Sequence, residues 1–128
     1  MLMIKEVNTH NLKVVVLHII NTLSQLKFKE LLDNLEYDEY YNWTPELLEN
    51  VISNYGFPEE SLGEYRISSI SDYNEKIISD NIIDHEDGTY SLDFEVPLNG
   101  EMSDLTISIE IRKSDNSYKI VLGNIRVM

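Results

Sequence analysis

The side chains here that could do chemistry are 23 carboxylates and three histidines; there is no cysteine. The densest mixture is Asp84-His85-Glu86-Asp87, which on paper offers hard-metal ligands. Alternation along an extended chain sends Asp84 and Glu86 to one side and His85 to the other, so the four do not converge. No second spaced set of ligands accompanies them, as a calcium loop would require. A solvated hairpin tip is the better reading. His18 sits between Leu17 and Ile19 near the edge of an apolar helical stripe, and His10 precedes it by two turns. A general base needs a nucleophile or substrate within hydrogen-bond reach and a group that orients it. The chain has no nucleophile-elbow pattern, no paired-histidine zinc motif and no phosphate-cradling glycine loop. Its five glycines all stand at turn or cap positions. The expectation is a non-enzyme, with no catalytic residue, no cofactor and no metal.

A different chemistry is offered by Glu36-Tyr37-Asp38-Glu39-Tyr40-Tyr41-Asn42-Trp43, where three acids interleave with four aromatics, including the only Trp. Tyr and Trp are enriched at the energetic centres of interfaces, and flanking carboxylates steer a basic partner toward them. The competing reading is that Tyr37, Tyr40 and Trp43 pack a corner between two helices. Glu59-Glu60 and Glu64 extend the acidic band beyond the third helix. The residues expected to touch a partner are Glu36, Tyr37, Asp38, Glu39, Tyr40, Tyr41, Trp43, Glu59 and Glu60.

The charge of the whole chain points the same way. Its 128 residues carry a net −13 and a pI near 4.4. Residues 1–29 hold four Lys and one Glu, whereas residues 30–95 hold eighteen acids against Arg66 and Lys76, a net of −16. Residues 96–128 balance four acids with four bases. Direct binding to nucleic acid or to an anionic membrane is disfavoured, since both reward positive charge. The expectation is that the middle-chain carboxylates gather into one negative field facing water. Neither a signal-peptide pattern nor a membrane-length apolar run is present, because Val14–Ile20 falls short of about 20 residues. Together with the lack of cysteine, this suits a soluble cytoplasmic protein.

The elements that must position these groups read as helices followed by a meander. This length suits one domain, residues 1–128, with a helical part at 9–56 and a sheet part at 81–128. Leu12, Val16, Ile19, Leu23 and Leu26 mark a first helix capped by Asn8 or Thr9. Leu31, Leu32 and Leu35 mark a second, with Glu30, Asp33 and Glu36 on its outer face. Thr44, Pro45 and Glu46 open a third, whose buried stripe is Leu47, Leu48, Val51, Ile52 and Tyr55, and Gly56 and Pro58 close it. Residues 59–81 read mostly as loop: a short strand near 65–70 is one option, a helical turn through Ile70, Tyr73, Ile77 and Ile78 the other. From Asn81 the period becomes two. Asp87-Gly88 suggests a tight primed turn, Pro97 ends a strand, Asn99-Gly100 turns the chain, and a bulge at Gly123-Asn124 returns Ile125 and Val127 to the core face. The fold class is α+β, with N-terminal helices packed on one face of a C-terminal antiparallel β-meander, a cystatin-like roll or similar.

The last 45 or so residues carry Asp87-Gly88, Tyr90-Ser91-Leu92-Asp93-Phe94, Ser103 to Ile109, Tyr118-Lys119-Ile120 and Asn124-Ile125-Arg126-Val127. This pattern resembles a family of small acidic bacterial domains of uncharacterised function, similar to immunity proteins of antibacterial toxin systems. The resemblance implies a non-enzymatic inhibitor of a basic protein toxin, above all a nuclease, whose phosphate-binding site would be complementary to the acidic segment. Three alternatives stand beside it, the plainest being an acidic soluble domain whose charge only prevents aggregation. A DNA mimic requires carboxylates spaced like phosphates. A cystatin-like small-molecule-binding domain or enzyme requires a cavity lined by convergent polar groups.

Overall fold

The computed structural model describes residues 2–57 and 63–128. The chain runs β1 (Met3–Ile4), α1 (Thr9–Ser24), α2 (Phe28–Asn34), β2 (Glu36–Tyr37), a 3-10 turn η1 (Glu39–Tyr41), α3 (Pro45–Ser53), α4 (Glu75–Asn81), β3 (Ile82–Asp84), β4 (Thr89–Leu98), β5 (Glu101–Ser114) and β6 (Ser117–Val127). It is an α+β fold.

Helices α1, α3 and α4 each start where a side chain satisfies a free N–H group of the first turn, whereas α2, opening after Lys27, has no side-chain cap. Asn8 Oδ1 accepts the Asn11 N–H at 2.8 Å, and Thr44 Oγ1 accepts that of Leu47 at 3.1 Å, with Pro45 at the first helical position. α1 buries Leu12, Val15, Val16, Ile19, Ile20 and Leu23. Leu26, expected in that stripe, is 48% exposed, because the helix ends at Ser24 and Leu26 takes a left-handed φ of 61°. Glu36 likewise leaves the expected outer face of α2, since the chain straightens at Leu35 and Glu36 opens β2.

The segment before the meander resolves in favour of the helical option. Asn74 Oδ1 accepts from the Lys76 and Ile77 N–H groups, and α4 follows with Ile78 buried. The expected strand near 65–70 shrinks to one bridge, Ile67 to Leu98. Asn21 on α1 replaces a strand neighbour there: its amide donates to Ile70 O and accepts from Ile70 N–H, both at 2.9 Å.

The sheet order is β1-β6-β5-β4-β3, with β2 also pairing β6. All pairings are antiparallel except β2 on β6. The two short strands from the first half were not foreseen. They occupy one edge of β6 in series, β1 opposite residues 118 and 119 and β2 opposite 121 and 122. Asn99 and Gly100, at φ 50° and 88°, make the tight turn that the right-handed strand twist favours. The Asp87-Gly88 turn is wider than expected. Positive φ falls on Glu86 and Gly88, and Asp84 and Asp87 carboxylates hold the Glu86 and Thr89 N–H groups. Pro97 does not end β4, because the register shifts between Glu95 and Pro97 and the strand continues to Leu98. The bulge falls where expected: Ile107 faces Ile125 while Ile109 faces Leu122, so Ser108 stands opposite both Gly123 and Asn124.

Leu92, Phe94, Val96, Leu105, Ile107, Ile109, Ile111, Ile120, Leu122 and Ile125 form the sheet's contribution to a core shared with all four helices. Among the described residues the buried polar side chains are Asn54 and Thr106, both hydrogen-bonded. The other sheet face carries Asp93, Ser108, Glu110, Arg112, Lys119 and Arg126, each partly exposed.

Candidate functional site

The Glu36–Trp43 segment is a hook fastened along the outer edge of β6. Glu36 and Tyr37 pair in parallel with Val121 and Leu122, and the Asp38 N–H donates to Leu122 O at 2.9 Å. One residue further along that edge, Trp43 Nε1–H donates to Gly123 O at 2.7 Å. The bulge makes this possible by turning the Gly123 carbonyl out of the ladder, where an indole can reach it. Trp43 is 6% exposed and stacks on Tyr41 at 6.3 Å. Between these anchors η1 bends outward, capped by Asp38 Oδ1 on the Tyr40 N–H at 2.9 Å and closed by Asn42 at φ 48°.

Both sequence readings of this segment therefore apply, to different residues. Trp43 and part of Tyr41 are packing groups. Tyr37 at 40% exposure and Tyr40 at 84%, with Glu39 between them, face solvent. Tyr40 meets Tyr41 edge-on at 5.1 Å, a contact that favours this orientation of a ring otherwise in solvent. Glu36 is engaged by Lys119 at 2.9 Å. Glu59 and Glu60 lie outside the described residues, and Glu64 is exposed.

The single negative field expected from the sequence is divided. Seven of the sixteen described carboxylates in residues 30–95 have a base within 4 Å: Glu30, Asp33, Glu36, Asp72, Glu75, Asp80 and Asp93. Most of these bases come from the chain ends, so the segregation of charge along the sequence is partly undone in space. The Lys13 ammonium and the Tyr73 N–H hold Asp72 below the ordinary carboxylate range. Asp38 and Glu39 stand at one edge of the sheet, and the Asp84–Asp87 tip stands at the other, beyond β3. Four strand spacings separate these edges, about 19 Å.

A groove of about 410 Å³ opens between η1 and the polar sheet face, lined by Asp38, Tyr41, Ser91, Ser108, Glu110, Asn124 and Arg126 together with strand backbone. Two of its lining residues, Ser108 and Arg126, belong to a network with Asp93 that sequence reading missed. Arg126 Nη2 donates to Asp93 Oδ2 at 2.9 Å, Arg126 Nη1 to Ser108 Oγ at 2.6 Å, and Ser108 Oγ to Asp93 Oδ1 at 2.6 Å. Counting cross-strand neighbours through the bulge would have found it, since Asp93 faces Ser108 and Arg126 faces Thr106. Arg112 is bound to Glu110. His85 Nε2 lies 2.9 Å from Ser91 Oγ. Both are on the exposed hairpin, with no carboxylate hydrogen-bonded to the ring's other nitrogen among the described residues. No group of three or more metal-ligating side chains is present among the described residues.

A family model of a domain of unknown function, DUF7668, matches residues 20–128. The chain belongs to the DUF7668 family. Its match takes in the hook, the bulge that receives Trp43 and the whole polar sheet face, and it begins midway along α1. No curated protein and no solved structure matches this DUF7668 chain. No described helix is long and apolar enough to cross a membrane.

Proposed function

We propose that this DUF7668 protein is a non-enzymatic inhibitor that caps a cationic protein through the Glu36–Trp43 hook, in its most specific form an immunity protein against a nuclease toxin. The observation that carries the reading is Tyr40, 84% exposed yet held between a buried Trp43 anchor and the Asp38 cap. A large aromatic presented on a fixed turn, with Glu39 beside it and Tyr37 close by in sequence, has the composition and rigidity of an interface anchor. Nuclease active sites are basic because they bind phosphate, so the carboxylates would speed encounter and the aromatics would slow release.

The division of the acids between two sheet edges favours a compact contact over the extended phosphate-like row of a DNA mimic. The apolar packing between helices and sheet favours a surface function over an enclosed small-molecule site. Co-expression with cationic nuclease toxins tests the proposal. The expected result is rescue of growth and a complex stable to size-exclusion chromatography. Tyr40→Ala should weaken a confirmed complex about thirtyfold, as loss of an interface anchor of about 2 kcal/mol does. Full rescue and unchanged affinity with Tyr40→Ala and Glu39→Lys combined would place the interface elsewhere.

A further inference from the structure

The chain has one Asn-Gly pair, Asn99-Gly100, in the exposed turn between β4 and β5. This dipeptide is chemically labile in water, because a glycine leaves its backbone nitrogen open to the preceding carboxamide. Among the described residues nothing stands within 4 Å of the point where a Cβ on Gly100 would sit, so the turn itself offers no steric shield. Both reacting groups are nevertheless engaged by one neighbouring strap, residues 64–68. Asn99 Oδ1 accepts the Arg66 N–H at 3.0 Å, and Asn99 Nδ2 donates to Glu64 O at 3.4 Å. The Gly100 N–H, whose nitrogen is the nucleophile, donates to Ser68 Oγ at 2.6 Å. The strap is tied in turn to β4, by the Ile67–Leu98 bridge and by the Ser68 N–H on Pro97 O at 3.0 Å.

From this we infer that Asn99 is a site of spontaneous deamidation held latent by the strap, so that conversion proceeds only through local opening of residues 64–68. In the open form the Gly100 nitrogen loses its proton to solvent base and attacks Asn99 Cγ. The N–Cγ bond forms, the Cγ–Nδ2 bond breaks and ammonia leaves. Water then opens the succinimide at either carbonyl, giving aspartate or isoaspartate; one water is consumed and nothing is oxidised or reduced. Ring closure swings the carboxamide onto Gly100 N and sacrifices its bonds to Glu64 and Arg66, while the bond to Ser68 stabilises the protonated nitrogen. The change is directional. The product carboxylate has no N–H for Glu64 O, and isoaspartate lengthens the backbone inside a tight turn whose residues stand at φ 50° and 88°. Either product loosens the strap and bares the β4 edge at Pro97 and Leu98, an unpaired edge of the kind that recruits other strands.

The test incubates the full chain in mildly alkaline buffer, native and in urea, and follows Asn99 by peptide mass mapping and by hydroxylamine cleavage between residues 99 and 100. Conversion in the native chain should be slower than in urea by about tenfold or more, the mark of a reaction gated by local opening. Ser68→Ala removes the hydroxyl and leaves the backbone bond to Pro97 O in place. It should speed native conversion about fivefold, the equivalent of one hydrogen bond of about 1 kcal/mol, and leave the rate in urea unchanged. Asn116-Ser117, in the exposed turn between β5 and β6, is the internal reference and should convert at the same rate in both proteins. In the converted protein the Ser68 N–H should lose protection from hydrogen exchange while the β5–β6 ladder keeps its own. Equal native and urea rates at Asn99, no acceleration by Ser68→Ala, or an equal acceleration at Asn116, the mark of general loosening, would overturn the latch. Retained protection at Ser68 after conversion would overturn its opening of the β4 edge.

Discussion

Replacing Trp43 with Phe isolates the anchor that holds the hook. The substitution removes the Nε1–H bond to Gly123 O, 2.7 Å in the structure, and the outer part of a ring that is 6% exposed. The lost hydrogen bond costs about 1 kcal/mol net, because the Gly123 carbonyl is at the sheet edge and water can replace the indole. The lost apolar burial adds about 1 kcal/mol, the worth of roughly one buried methylene. A total near 2 kcal/mol lowers the unfolding midpoint of a domain of this size by about 6–10 °C. Urea unfolding followed by circular dichroism, which does not depend on the indole, measures it. Amide exchange adds the local signature: the Asp38 N–H, bonded to Leu122 O, should lose protection beyond the global change, while the β4–β5 ladder should follow the global change alone. A cost below 0.5 kcal/mol, or unaltered relative protection at Asp38, would refute the anchoring role.

Other expectations follow from the same geometry. Tyr73 is 4% exposed and its hydroxyl donates to Glu95 O at 2.7 Å; burial and the nearby Glu95 charge push its pKa up to about 12. Its contribution to stability is therefore intact below pH 10 and lost between about pH 10 and 12, roughly 2–3 kcal/mol in all. Tyr73→Phe should remove that part of the alkaline loss in urea titrations made across this range, and an unchanged slope would contradict it. Gly123→Ala places a Cβ 3.2 Å from Ser108 O at the bulge, and should cost about 1–2 kcal/mol in the same assay together with a changed Trp43 fluorescence maximum. Asn21→Ala removes both bonds to the Ile70 backbone; a loss of about 2 kcal/mol and faster proteolysis within residues 63–74 are expected, and unchanged cleavage would show that other contacts suffice.

Much of the frame was legible from local chemistry. Caps at Asn8 and Thr44, the two-residue periods of β4 and β5, the Asn99-Gly100 turn and the Gly123-Asn124 bulge each depend on a few neighbouring residues, so their sequence signals are read without knowing what packs against them. The acidic and aromatic composition of the Glu36–Trp43 segment was equally plain. Which of its rings would face water was not, because burial of Trp43 depends on a carbonyl 80 residues away.

Tertiary structure decided the rest, for the same reason. β1 and β2 are two residues each, too short to show a period, and they exist because the edge of β6 needs partners for its backbone groups. α4 carries a brief stripe and Asn21 bonds across 49 residues of sequence, so neither contact had a local signature. The sequence by itself determined how many charges the protein carries and of which sign. Lys27 and Lys29 reach Glu30 and Asp33 within a helical turn, but only folding brings Lys13, Lys119 and Arg126 onto middle-chain carboxylates and carries Asp38 to a groove without a counterion among the described residues. Net charge is a sum over residues, whereas a field depends on distances, and distances are set by the packing of the whole chain.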